Sequence, residues 1–104
     1  MSNYKLLYVI CRSALEARKL GKILVKDKLV ACTNIISNIH SIFNWNGKIG
    51  TNKEILLLGK TQKKNVKKII KTIKSNHSYE CPAILFFNVE TGSGDFLKWI
   101  KQNS

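Results

Sequence analysis

Cys11 and His77 are the two side chains in this sequence best suited to hold a metal ion. A thiolate and an imidazole together favour soft or borderline ions such as copper or zinc. His77 opens the run His77-Ser78-Tyr79-Glu80-Cys81-Pro82, so Glu80 or Cys81 would add a third ligand. Cys11, His77 and Glu80 are therefore the candidate metal set, and Glu80 is equally suited to accepting backbone hydrogen bonds in its own loop. The three cysteines are widely spaced and form no Cys-x-x-Cys pair. That pattern signals neither a structural zinc site nor a disulfide framework, and it reads as reduced thiols. His40 and Cys32 fall on other elements, away from this set. No Ser/His/Asp set, paired carboxylates or glycine-rich phosphate loop is present, so no catalytic residue is assigned and the chain reads as a binding protein rather than an enzyme.

The elements that must position these residues follow from periodicity. Tyr4 to Cys11 is an apolar, strand-forming run, long enough to be buried on both faces. Ser13-Ala14-Leu15-Glu16 is a capping box, with Glu16 reaching back to the Ser13 amide. It starts a helix that runs to about Lys26, with Ala17, Leu20, Gly21, Leu24 and Val25 on its apolar stripe. Val30 to Trp45 is rich in β-branched residues, and its alternation slips at Ile35-Ile36 and near Ile42-Phe43, as bulges would produce. Asn46-Gly47 is a strong hairpin signal. The return strand holds Lys48-Ile49 and Glu54 to Lys60, with Gly50 to Lys53 expected to be irregular. Thr61 is expected to cap a second helix carrying Val66, Ile69, Ile70 and Ile73 at helical spacing, ending near Asn76. Ala83 to Glu90 is a last strand, and Ser93 starts a terminal helix containing Trp99 and Ile100.

The order β-α-β-β-α-β implies an α+β, ferredoxin-like fold. Two helices cover one face of an antiparallel sheet, with a long hairpin between the second and third strands and a short C-terminal helix. The expected organisation is a single domain over 1–104. Right-handed crossovers place the first and third strands in the middle and the second on an edge. Extended, Val30 to Trp45 spans about 50 Å, against about 26 Å for Tyr4 to Cys11. The hairpin must overhang its sheet, and a long apolar edge calls for a partner strand from another copy. Trp45, Ile39 and Phe43 are the expected oligomer-interface residues; Trp45 serves there as an aromatic anchor more readily than as a stacking platform for a ligand.

The chain carries 18 basic and 6 acidic residues, for a net charge of +12. Lysine dominates, and only Arg12 and Arg18 offer the planar fork that reads phosphates in fixed geometry. RNA-binding ferredoxin-like sheets display aromatics on their central strands, and Glu54 to Lys60 has none. Nucleic acid is therefore not expected as a partner despite the charge. No apolar run approaches the roughly 20 residues of a membrane helix, and the N-terminal region lacks the pattern of a signal peptide. A cytoplasmic location is expected, with no membrane partner.

The segments Ala31-Cys32-Thr33-Asn34, Ser41 to Ile49, Lys60-Thr61, His77 to Pro82 and Trp99-Ile100 stand in this order along the chain. Together they resemble the CutA family of divalent-cation tolerance proteins. The resemblance runs from about Tyr4 to Ile100. It implies a homotrimer, a role in metal tolerance, and copper as the favoured ion, with a cysteine near the end of the first strand involved. It also brings likeness to trimeric PII signalling proteins, and so a second reading in which inter-subunit clefts bind a small effector. Phe43, Asn44, Asn46 and Ser78 depart from the family pattern, and Asn76 precedes His77 where a second histidine would make a paired site. Loss of a proline at Ser78 leaves that loop freer.

Overall fold

Strand β1 is Tyr4–Cys11, and its alternation sends Leu7, Val9 and Cys11 into a core from which they expose nothing. The computed structural model describes residues 3–104. Met1 and Ser2, part of the expected 1–104 domain, lie outside the described residues. Helix α1, Ala14–Lys26, follows β1, and strands β2, Cys32–Trp45, and β3, Lys48–Gln62, form the hairpin. A 3₁₀ turn at Lys63–Asn65 leads into α2, Val66–Asn76; strand β4, Ile84–Asn88, and helix α3, Gly94–Asn103, complete the chain. The sheet is antiparallel in the order β2-β3-β1-β4, so the expected ferredoxin-like arrangement holds.

The core lies between the sheet and α1 and α2. Leu20 and Leu24 of α1 and Ile69 and Ile73 of α2 are fully buried against Leu7, Val9 and Leu57. Each such side chain stabilises the fold by about 1.5–3 kcal/mol relative to exposure. The other face of β1, with Tyr4, Leu6 and Tyr8, is only half-buried, so the strand is not covered on both sides as its apolar run suggests. Val25, placed on the apolar stripe by spacing, is exposed on the last turn of α1, while Leu24 beside it carries the burial. Gly21 lets α1 approach the sheet: a Cβ there would lie 2.9 Å from Thr33 Oγ1 and 3.6 Å from Leu57 Cδ1. Gly21→Val should therefore destabilise the protein by about 1–3 kcal/mol in urea unfolding, the usual cost of overpacking.

The hairpin turn forms as its dipeptide dictates, with positive φ at both Asn46 (53°) and Gly47 (79°). One register shift occurs, between Ile36 and Ile39, with Asn38 at φ 61°. The second expected slip is absent: Ile42 pairs Thr51 and Phe43 pairs Gly50 in regular register. Nor is Gly50 to Lys53 irregular, for β3 runs unbroken through it. The Phe43 ring lies over Gly50, where a Cβ would come within 2.6 Å of it, so the aromatic covers the glycine's bare backbone.

Thr61 does not cap a helix. It is the penultimate residue of β3, and its hydroxyl donates to the Leu29 carbonyl at 2.6 Å. The strand outlasts the expected boundary, and Gln62 uses its amide to donate to the Lys101 and Ser104 carbonyls at the end of α3.

β1 pairs β3 only from Ile55 onward, so Ile39–Trp45 and Lys48–Glu54 project beyond the sheet and stretch the molecule to 44 Å. Along this overhang Ile39, Ser41, Phe43 and Trp45 share one face with Glu54 and Asn52, while Ile42 and Ile49 occupy the other. No helix among the described residues is long and apolar enough to cross a membrane.

Candidate functional site

β1 ends at Cys11 beside the start of α1, and α2 delivers His77 to the same corner. Ser13 caps α1, its hydroxyl accepting from the Glu16 amide at 3.1 Å. The Glu16 carboxylate does not return to the Ser13 amide as the capping box implies. Oε1 accepts from the Arg12 amide at 3.0 Å, and Oε2 accepts from the Ser78 amide at 2.9 Å. Glu16 thereby ties the start of α1 to the loop after α2.

Ligand atoms of Cys11, Glu16 and His77 lie within 4.8 Å of one another. The pair expected from sequence, Cys11 with His77, is thus brought together. Glu80 is not part of that cluster; it is exposed and faces a neighbouring cleft. Glu16 stands where a third ligand was sought. Its signal in the sequence was the helix-start pattern alone, which explains its presence without pointing to a ligand. Cys81 is exposed on the loop, while Cys32 sits half-buried beside Lys60 at the opposite end of the sheet. His40 is exposed on the edge strand.

The His77 side chain has no exposed surface. Its Nδ1 accepts from the Tyr79 amide at 3.0 Å, which leaves Nε2–H to donate to the Ile10 carbonyl at 2.7 Å. Glu16 Oε1 is 3.7 Å from the same Nε2. A metal taking either nitrogen displaces one of these bonds, at a cost of about 1–3 kcal/mol for the group left without a partner. Burial, with the charges of Glu16 and Glu54 adding to it, pushes the Cys11 thiol up to about 12. The thiol is neutral at pH 7, so metal must release its proton.

Burial works to raise the Glu16 pKa, but hydrogen bonds from Ser78 and Arg12 and the nearby His77 outweigh it and hold the carboxyl below its ordinary value. A carboxyl lowered on folding contributes stability above its unfolded pKa of about 4.3, and that contribution is lost as pH falls through the folded value. In metal-free protein, Glu16→Gln should therefore flatten the acid limb of stability against pH, read as urea midpoints at neutral pH and below pH ~4. An unchanged acid limb would remove Glu16 from this role.

Tyr79 joins the corner to a cleft of about 600 Å³ between the root of the overhang and the 78–83 loop. Its hydroxyl donates to Glu54 Oε2 at 2.6 Å, and its ring tilts against His77 at 5.0 Å between centroids. Desolvation and the Glu54 carboxylate push the Tyr79 hydroxyl well above its usual range. Phe43, Trp45, Glu80 and Cys81 also line this cleft. Trp45 thus reaches the rim as well as the overhang.

The family model described as CutA1 divalent ion tolerance protein matches residues 5–103. The Divalent-cation tolerance protein CutA of Thermus thermophilus is 34% identical over 88 residues, covering 85% of each chain. Other curated relatives are longer. The chain is 31% identical to the chloroplastic Protein CutA of Arabidopsis thaliana over 93% of its own length and 53% of that protein's. Against the Protein CutA homolog of Xenopus laevis it is 36% identical, over 89% of its length and 62% of the relative's. The chain therefore spans between half and two thirds of those two relatives. Among solved structures, the Thermus thermophilus divalent cation tolerance protein superposes with a TM-score of 0.95 at 31% identity, covering 97% of this chain and 98% of that one. The periplasmic divalent cation tolerance protein CutA of Archaeoglobus fulgidus superposes with a TM-score of 0.93 at 34% identity, over 96% and 97%. The family model matches nearly the whole chain and the fold superposes over nearly its whole length, and on that ground the chain belongs to the CutA1 divalent ion tolerance family.

Proposed function

We propose that this chain forms a homotrimer that binds a divalent metal ion, copper foremost and zinc next, as a non-enzymatic tolerance protein of the cytoplasm. The observation that carries the reading is the convergence of Cys11, Glu16 and His77 within 4.8 Å. Thiolate, carboxylate and imidazole together suit a borderline ion, and the three free thiols suit a reducing compartment. The names of the relatives support metal tolerance and mention no reaction. Assembly is supported by apolar surface that a lone chain leaves uncovered. Ile42 and Ile49 of the overhang are 75% and 74% exposed, and Leu85 and Phe87 stand out from the open sheet face. Titration calorimetry of the reduced protein, with copper and zinc in turn, should show saturation near one ion per chain and tighter binding of copper. Absence of saturable binding by either ion would remove the metal reading.

A second reading is favoured by the cleft beside the cluster, whose size and largely apolar walls suit a small molecule. In it the trimer is a PII-like signalling module that takes an effector at the subunit border. Nothing in either reading calls for a nucleic acid or a membrane.

A further inference from the structure

The cleft differs in charge from the molecule around it. The chain carries 18 basic residues, yet no lysine or arginine lines the cleft, while Glu54 and Glu80 both do. Three aromatic side chains, Phe43, Trp45 and Tyr79, complete the walls. By the register of the hairpin, Phe43, Trp45 and Glu54 fall on one face of the overhang, where Lys48 at the tip opposite Trp45 is the one basic residue, and Lys53 falls on the other. Glu54 is buried, with 7% of its surface exposed, and its partner is the Tyr79 hydroxyl. No lysine or arginine among the described residues pairs with it. A carboxylate has about four acceptor positions, and one withdrawn from water is costly unless an opposite charge answers it.

We propose that this cleft binds a small organic cation, an alkylated ammonium group seated against Trp45 and Phe43 with Glu54 and Glu80 supplying the countercharge. The inference deepens the effector reading above and rests on it. An ammonium placed over aromatic faces is attracted by the ring quadrupoles, and quaternary ammonium groups are the usual beneficiaries. The Glu54 and Glu80 carboxylates add a Coulomb term that a neutral molecule of the same shape cannot use. Lys48, opposite Trp45, does not line the cleft, and the more distant lysines oppose the approach of a cation only weakly at physiological ionic strength, because charges beyond about 8 Å are screened. A metal ion is a poorer occupant, for Glu80 and Cys81 stand outside the close-set cluster that Cys11, Glu16 and His77 form.

Choline and its neutral isostere 3,3-dimethylbutan-1-ol are the probes. Trp99, which stacks on Phe96 of α3 and does not line the cleft, is changed to Phe so that Trp45 is the sole tryptophan reporter. Choline should quench or shift Trp45 emission saturably, and the isostere should bind about tenfold more weakly. Glu54→Gln should weaken choline by a similar factor. Because that change also alters the Tyr79 contact, Glu80→Gln at an exposed position is the control for folding, with an expected loss of about threefold. Equal binding of choline and isostere, no saturable response, or choline affinity unchanged in both variants would overturn the proposal. Native mass measured on the same samples separates the readings. A trimer that ignores choline loses only the cation, whereas a monomer that binds choline keeps the cation and loses the assembly.

Discussion

If Cys11 ligates copper as proposed, changing it to serine should weaken copper binding by at least about 100-fold, since losing even an outer partner of a metal ligand costs roughly 10–100-fold. The thiol is the softest donor in the cluster, and serine replaces it with a hydroxyl that stays protonated. Its burial adds a second signature. A thiol pushed up to about 12 is neutral at pH 7, so a metal must free its proton and displace a bond of His77, and both oppose binding. One proton leaves with each ion bound, so affinity rises about tenfold per pH unit between pH 6 and 8. Serine in a buried position forfeits packing and needs a partner of its own, so Cys11→Ala is the companion variant, and both should lose the pH dependence along with the binding. Competition against a chelator at several pH values reads both effects. Wild-type affinity that is flat with pH would mean that Cys11 is not a ligand.

The second large effect is on assembly. Ile42→Asp together with Ile49→Asp should convert the proposed trimer to a monomer, seen as a fall from three times 11.8 kDa to 11.8 kDa. Both side chains are about three-quarters exposed in the single chain, so charge there costs the monomer little. In an assembled protein the same carboxylates would be buried without partners, at several kcal/mol each. Changes at Ile39, Phe43 or Trp45 are less clean, because Ile39 is half-buried, Phe43 covers Gly50 and Trp45 lines the cleft. An assembly that survives both aspartates would place the contact elsewhere, the open sheet face with Leu85 and Phe87 being next.

Strand order, the overhang and the turn at Asn46-Gly47 were legible because each depends on local signals: apolar run lengths, β-branched content and a dipeptide that tolerates positive φ. Continuity of β3 through Gly50 was not, since it depends on a Phe43 ring arriving from the opposite strand. Thr61 was misread for a similar reason. Its threonine is a good cap by type, yet the Leu29 carbonyl, far away in sequence, takes the hydroxyl and keeps the residue in the strand. Within the site, Cys11 and His77 could be paired from topology, because the end of β1 and the loop after α2 meet at one end of the sheet. Glu16 was hidden behind its capping pattern, which accounts for a carboxylate at that position before any ligand is considered. The Glu54–Tyr79 contact joins residues 25 apart in sequence on elements that carry no shared motif, so only the folded chain reveals it.

Native mass spectrometry of the reduced protein, with and without one equivalent of copper per chain, reads assembly and metal uptake together. The expected species is three times 11.8 kDa, takes up one copper per chain and loses it when Cys11 or His77 is changed. A monomer, or a trimer that leaves the copper in solution, would contradict the proposed trimeric metal-binding function.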